Sequence, residues 1–312
     1  MSSRPAPASD RTGGGLFHAL GAHAIWGSMP LYLMLVHEVP VVEFVAWRTL
    51  FTLPICLAIV LLTGAGSEMR PVLKDRRAMV TLLASASMIA VNWLLYVWAI
   101  QTGHVYAASL GYYILPLTMM LLGMVVLGER LTRLQWWAVG LATLGVAALA
   151  AGALMTLWLS LSMAITFGIY GLLRKTVKAG PLVGLTVESL LLLPFAIIIV
   201  AWYAASPQGT AIGRDALETA AIALGGPMTA IPLLLFATAA RRMPYSVIGF
   251  LQFISPTIVF LLGLTVFGED LRPAQLACFI AIWIAAGLFT WGLLRGSPPA
   301  QGDEEASRGA AA

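Results

Sequence analysis

Ten apolar stretches, each about 19 to 23 residues long, follow one another along a chain of 312 residues. Glu43, Arg48 and Glu188 stand out as charges within them. A backbone in hydrocarbon must satisfy its N–H and C=O groups within its own segment or within a closed barrel. About 20 residues at 1.5 Å rise cross the hydrocarbon as an α-helix. Barrel strands would alternate apolar and polar over short segments, and no such alternation is present. The fold class that follows is an all-α polytopic membrane protein. The ten spans fall near residues 16–36, 41–62, 79–100, 105–127, 134–152, 154–173, 182–203, 217–239, 245–267 and 274–294. Charged residues make up 10% of the chain, against about a quarter in soluble domains. The first stretch runs on for a full span with no cleavage pattern, so it reads as a helix and not as a signal peptide. Cys56 and Cys278 both lie in apolar runs and are expected to be buried thiols.

Lys and Arg set the sidedness, because cytoplasmic loops are enriched in them. With both termini inside, fifteen of the eighteen fall in inner segments, Arg174 and Lys175 among them. Only Arg214 and Arg272 fall outside, and Arg48 lies within a span. A net charge of +4 distributed in this way points to membrane orientation and not to nucleic acid. The tails, residues 1–15 and 295–312, are rich in Pro, Gly, Ser and Ala and are expected to be disordered in the cytoplasm.

An offset of 140 residues aligns one half of the chain on the other. YILPLTMMLLGMVVLGERLTRLQ (113–135) meets FISPTIVFLLGLTVFGEDLRPAQ (253–275) with ten identities in 23 positions. The shared Pro116/Pro256, Gly128-Glu129/Gly268-Glu269 and Gln135/Gln275 carry the match. Five spans per half is an odd number, so the second half enters the membrane from the opposite side. Residues 16–152 and 153–294 are thus expected to be inverted repeats, a plan of secondary transporters that hold substrate near the midplane. Glu129 and Glu269 then lie on opposite membrane faces and cannot form a catalytic pair or share a metal. Each Gly-Glu is expected to end its helix and to leave the acid beside the start of the next one.

The doubled pattern resembles the EamA repeats of the drug/metabolite transporter superfamily. NWLLYVWAIQTGHVYAASLGYYILPL (92–117), ERLTRLQW (129–136), YGLLRK (170–175), VESLLLLP (187–194) and GFLQFISPTIVFLL (249–262) resemble RarD-type permeases. The resemblance covers nearly all of the chain apart from its tails. It implies ten helices in two inverted five-helix repeats, with spans 1–4 and 6–9 around a central cavity. It also implies residence in a bacterial cytoplasmic membrane, while the physiological substrate is not part of it.

Within the spans, ionisable residues are costly and tend to face a cavity or a partner. Arg48 and Glu188 are equivalent at the 140 offset. Arg48 is a fixed charge, expected to bind an anionic group of a solute or to pair with Glu188. A carboxylate taken out of water binds a proton more readily, which makes Glu188 the candidate for coupling to protons. A buried ion pair that only fixes packing is the plainer alternative. Glu43, near the outer end of its span, is expected at a solvated rim. Asn92, Trp93, Tyr96, Tyr112, Tyr113, Gln252, Trp26 and His23 form the aromatic and polar set expected to line a cavity for a small organic solute. Pro30, Pro54, Pro116, Pro194, Pro232 and Pro256 are candidate kinks or hinges.

Other function classes find little support. His18, His23, His37 and His104 are scattered, with no zinc-protease or nucleophile-elbow motif. No catalytic residue, metal site or cofactor is therefore expected. No Walker motif suggests ATP-driven pumping, and no filter-like segment suggests a channel. The expected function is a permease, an exporter by alternating access. Passive facilitation of the same solutes is the alternative; a membrane enzyme or a regulatory membrane protein ranks lower. The oligomeric state is left open by the sequence.

Overall fold

The computed structural model describes residues 8–102, 104–151, 154–268 and 273–295. Among these residues the chain forms twelve α-helices and no strand. They are α1 (Ala8–Leu33), α2 (Val41–Thr63), α3 (Gly66–Lys74), α4 (Arg76–Gln101), α5 (Val105–Leu127) and α6 (Arg133–Ala151). The rest are α7 (Leu157–Thr176), α8 (Pro181–Ala205), α9 (Ala216–Arg242), α10 (Tyr245–Leu251), α11 (Ile254–Thr265) and α12 (Pro273–Arg295). Ten segments are long and apolar enough to cross a membrane, with α10 and α11 together making one of them, Tyr245–Thr265.

Three features differ from the expected pattern. First, α1 begins at Ala8 and not at residue 16, so part of the expected disordered tail is helical. The apolar window sets only the membrane-crossing part, Gly14–Val36; polar residues before it tolerate helix outside the hydrocarbon. Residues 1–7, 296–312 and the Gly152-Ala153 connection lie outside the described residues. Second, a short amphipathic helix, α3, joins α2 to α4. Gly64, at φ 70°, ends α2 in the left-handed conformation that glycine adopts freely. Val72 of α3 is buried in a cluster with Ala78, Leu82 and Val177. Asp75 then caps α4 by accepting from the N–H groups of Arg77 and Ala78 at 2.9 and 3.3 Å.

Third, the ninth span is broken at Gln252 and Phe253. Pro256 has no N–H to offer the carbonyl of residue 252. Ser255 donates to that carbonyl in its place at 3.1 Å, and Phe253 donates to Phe250 at 3.2 Å. These tighter turns interrupt the helix beside the cavity described below. The other candidate hinges (Pro30, Pro54, Pro116, Pro194 and Pro232) all lie inside continuous helices.

The halves interdigitate. α1 packs on α9 and α11, while its 140-offset counterpart α7 packs on α4 and α5. α2 packs on α8, α5 on α10 and α6 on α12, each pairing counterparts with one another. Glycines allow the closest approaches. A Cβ on Gly226 of α9 would sit 2.6 Å from the Phe51 carbonyl oxygen of α2, and that backbone cannot swing away. Gly226→Ala is therefore expected to lower the thermal midpoint of the purified protein by several degrees, as overpacked cores do. Gly140→Ala, where a Cβ meets nothing within 4 Å, is expected to leave it unchanged or raise it. Equal midpoints for the two variants would argue against the α2–α9 contact.

Candidate functional site

Seven spans enclose one cavity. Its walls come from α1 (Trp26, Met29, Pro30), α2 (Arg48), α4 (Asn92, Trp93, Tyr96) and α5 (Ser109, Tyr112, Tyr113). Phe167 of α7, Thr229 and Leu233 of α9, and Gln252, Ser255, Pro256 and Val259 at the broken span complete it. The empty volume, mouth included, is about 870 Å³, within the range of small-molecule sites. These residues lie at mid-span or toward the ends remote from residue 14. Among the described residues α6, α12 and also α8 contribute nothing to this lining; α8, expected around the central cavity, lines only the smaller pocket described below.

Arg48 is the charged member of this lining. Its Nε donates to Thr229 Oγ1 at 2.9 Å, and that hydroxyl donates to Gly225 O at 2.6 Å. The guanidinium carbon stands 4.8 Å from the Trp93 ring centre and 5.5 Å from that of Phe44, a cation–π arrangement. A Cβ on Gly225 would meet Arg48 Cγ at 2.9 Å and the Tyr32 hydroxyl at 3.0 Å, so glycine makes the room. Asn92 donates to Met163 O at 2.8 Å and to Thr166 Oγ1 at 3.1 Å, tying α4 to α7. Tyr96 and Tyr112 meet edge to face, as do Trp26 and Phe167. Gln252 is buried with its Oε1 unpartnered.

Of the residues nominated from sequence, Arg48, Asn92, Trp93, Tyr96, Tyr112, Tyr113, Gln252 and Trp26 come together here; His23 and Glu188 do not. His23 is fully buried behind the wall, tilted against Trp26, with neither ring nitrogen hydrogen-bonded. Arg48 and Glu188 do not pair. Each lies seven residues in from the start of its helix, and the two helices start on opposite faces. At 1.5 Å per residue this leaves roughly 10–15 Å between them along the axis. Glu188 instead faces Arg174 at 3.5 Å, with both side chains almost completely buried. Counting Arg174 as a loop cation is corrected by this contact. Gly184, one turn before Glu188, leaves the room for it, because a Cβ there would collide with the Arg174 guanidinium. A smaller pocket containing Thr49, Thr52, Glu188 and Ser189 shares Trp93 and Leu233 with the main cavity. Glu43 is likewise not at a solvated rim. It is fully buried, and its Oε1 accepts from Thr210 Oγ1 at 2.6 Å, Ala211 N at 2.7 Å and Trp47 Nε1 at 3.2 Å. The α8–α9 loop folds over the end of α2 and brings those donors with it.

A set of polar contacts ties helices together on the side of the cavity nearest residue 14. Glu129 accepts from the N–H groups of Tyr245 and Ser246 at 2.6 and 2.8 Å. Gly128 does end α5, at φ 68°, but the acid caps α10, 116 residues away, and not the helix that follows it. Gly268 has the same left-handed φ, 64°; Glu269 lies outside the described residues. Lys175 Nζ donates to Ala240 O at 2.8 Å and Met243 O at 2.7 Å. Arg241 Nη1 donates to Val177 O at 2.9 Å and Ala179 O at 2.8 Å. Tyr245 Oη donates to Gly168 O at 2.7 Å.

Residues 13–151 match the EamA-like transporter family. The chain is 40% identical to an uncharacterized transporter of Pseudomonas aeruginosa over 89% of this chain and 95% of the other. It is 38% identical to the RarD protein of Streptomyces exfoliatus, covering 90% of this chain and 89% of that one. The RarD protein of Escherichia coli is 34% identical, over 88% and 93% of the two chains. A crystal structure superimposes on 92% of this chain and all of its own, with a TM-score of 0.72 at 16% identity. That likeness concerns the fold alone.

Proposed function

The chain belongs to the EamA-like transporter family, among its RarD-type permeases, and from that premise we propose that it exports a small organic solute by alternating access through the central cavity. The observation that carries this reading is a cavity built from both halves of the chain and lined by a buried guanidinium. Aromatic faces suit the body of an organic solute, and the few polar groups suit its orientation. The excess of Lys and Arg on the termini's side supports cytoplasmic termini. The cavity then lies toward the outside, with the Glu129, Lys175 and Arg241 contacts closing the inside, as an outward-facing form requires. Protons are the candidate coupling ion, and Glu188 the candidate carboxylate, since its pocket adjoins the cavity through Trp93.

Counterflow in proteoliposomes tests the reading. A panel of labelled small aromatic solutes of both charge signs is expected to include at least one that exchanges well above protein-free vesicles. Trp93→Ala, which removes a cavity wall, is expected to reduce that exchange roughly tenfold or more. An inward-directed pH gradient is expected to accelerate export, and Glu188→Gln to abolish the acceleration. Exchange indifferent to the gradient would assign passive facilitation. No exchange by monodisperse protein would remove the transport reading of this cavity.

A further inference from the structure

The charge of the cavity bears on the charge of its solute, given the proposed role of this cavity as the transport site. Its lining holds one cation, Arg48, and no carboxylate. Among the described residues the ion pairs are His37–Glu38 and Arg174–Glu188, so no acid neutralises Arg48. The neighbours that do touch the guanidinium are neutral: the Thr229 hydroxyl and the faces of Trp93 and Phe44. A guanidinium carries five N–H donors, and Thr229 takes only the one on Nε. The fork on the other two nitrogens is the part shaped for a planar anion, which it binds with two parallel bonds. A charge held at membrane depth without a counter-charge is unfavourable, and an arriving anion relieves that imbalance. An arriving cation would worsen it, and a neutral solute would leave it in place. Trp26, Trp93, Tyr96, Tyr112 and Phe167 supply aromatic faces to the wall, which suits a flat apolar body.

We propose that the solute is a monoanion with an aromatic body, carrying a carboxylate in the simplest case, and that Arg48 receives its charged end. The probes are three compounds with one ring system and three charges: indole-3-acetate, indole-3-acetamide and tryptamine. Binding to the purified full chain is measured directly, with labelled indole-3-acetate and competition by the other two. The acetate is expected to bind roughly tenfold or more tightly than the amide, with tryptamine weakest. Arg48→Gln is expected to erase the preference for the acetate over the amide, and Arg48→Lys to keep only part of it, since the charge stays and the fork is lost. Amide or amine binding as tightly as the acetate overturns the proposal. So does a preference that survives Arg48→Gln, or failure of all three to bind at millimolar concentration. If Arg48→Gln does not fold, the charge series on the unaltered protein still decides. Binding is read separately from flux: anion preference without counterflow removes the transport reading alone, and counterflow of only neutral or cationic solutes removes the anion alone.

Discussion

Glu188→Ala is expected to destabilise the folded protein by about 3–5 kcal/mol. Arg174 and Glu188 are 1% and 2% exposed and face each other at 3.5 Å. Beyond that attraction they have little support. Arg174 Nη2 donates to Pro181 O at 2.8 Å, but Nε, Nη1 and both Glu188 oxygens lack hydrogen-bond geometry to any partner. The hydroxyls of Ser85 and Tyr170 lie beside Glu188 and Arg174 and interact with them, but fall outside strict hydrogen-bond geometry. Removing Glu188 therefore leaves a bare guanidinium that cannot shed its proton. Arg174→Ala is expected to cost less, because a stranded carboxylate can neutralise itself by taking a proton. The double variant Arg174→Met/Glu188→Leu is expected to come within about 1 kcal/mol of the parent, since apolar residues replace a buried pair well. Thermal midpoints in detergent for the three variants check this. A double variant as unstable as Glu188→Ala would sink the ion-pair account. A stable double variant that has lost its response to a pH gradient would assign Glu188 to coupling as well as to packing.

The two singled-out charges were legible in the sequence for different reasons, and their partners were not. Arg48 stands alone in an apolar run, and the Asn, Tyr and Trp residues around the cavity sit at helical spacings in neighbouring spans. Residue type and depth were enough to nominate them. What depth does not reveal is which helix lies opposite. Glu188 was matched to its repeat counterpart, yet symmetry about the midplane keeps equivalents apart unless both lie at the midplane. Its partner Arg174 sits at a helix end, where long basic side chains are normally read as reaching water; the room that Gly184 leaves for it shows only in the fold. Glu43 was misread for a similar reason. Its place near the end of its span was right, but a loop more than 160 residues away folds over it and shuts out solvent. The span count, by contrast, depends only on local apolar length, and all ten reappear as helical segments. The break at Gln252 illustrates the intermediate case. Pro256 announced a weak point, but Pro116 in the equivalent place leaves α5 continuous, so proline alone did not decide where the helix parts.

With the termini cytoplasmic and alternating access as proposed, Glu129→Gln is expected to shift the protein toward a form open on the cytoplasmic face. The Glu129 carboxylate joins the end of α5 to the start of α10 through two short bonds from Tyr245 N and Ser246 N. Bonds of this kind to a charged acceptor at a helix start are stronger than neutral ones. An amide keeps one oxygen and turns an NH₂ toward the second N–H, so one bond is lost and a donor–donor contact is gained. The net loss is about 2–3 kcal/mol. Under alternating access this contact exists only while the inner ends of α5 and α10 are together. The whole difference then acts on the opening equilibrium, a change of roughly 30- to 150-fold. Ser246 is 2% exposed, so a cysteine there reports the opening directly. In a background with Cys56 and Cys278 replaced by alanine, Ser246→Cys in inside-out vesicles is expected to react slowly with a membrane-impermeant maleimide. Adding Glu129→Gln is expected to raise that rate at least about tenfold, with Glu129→Asp in between. A lower thermal midpoint without faster labelling would make Glu129 a cap that holds α10 in every state. Faster labelling with an unchanged midpoint would make it a contact specific to the closed inner face, the role alternating access assigns to it.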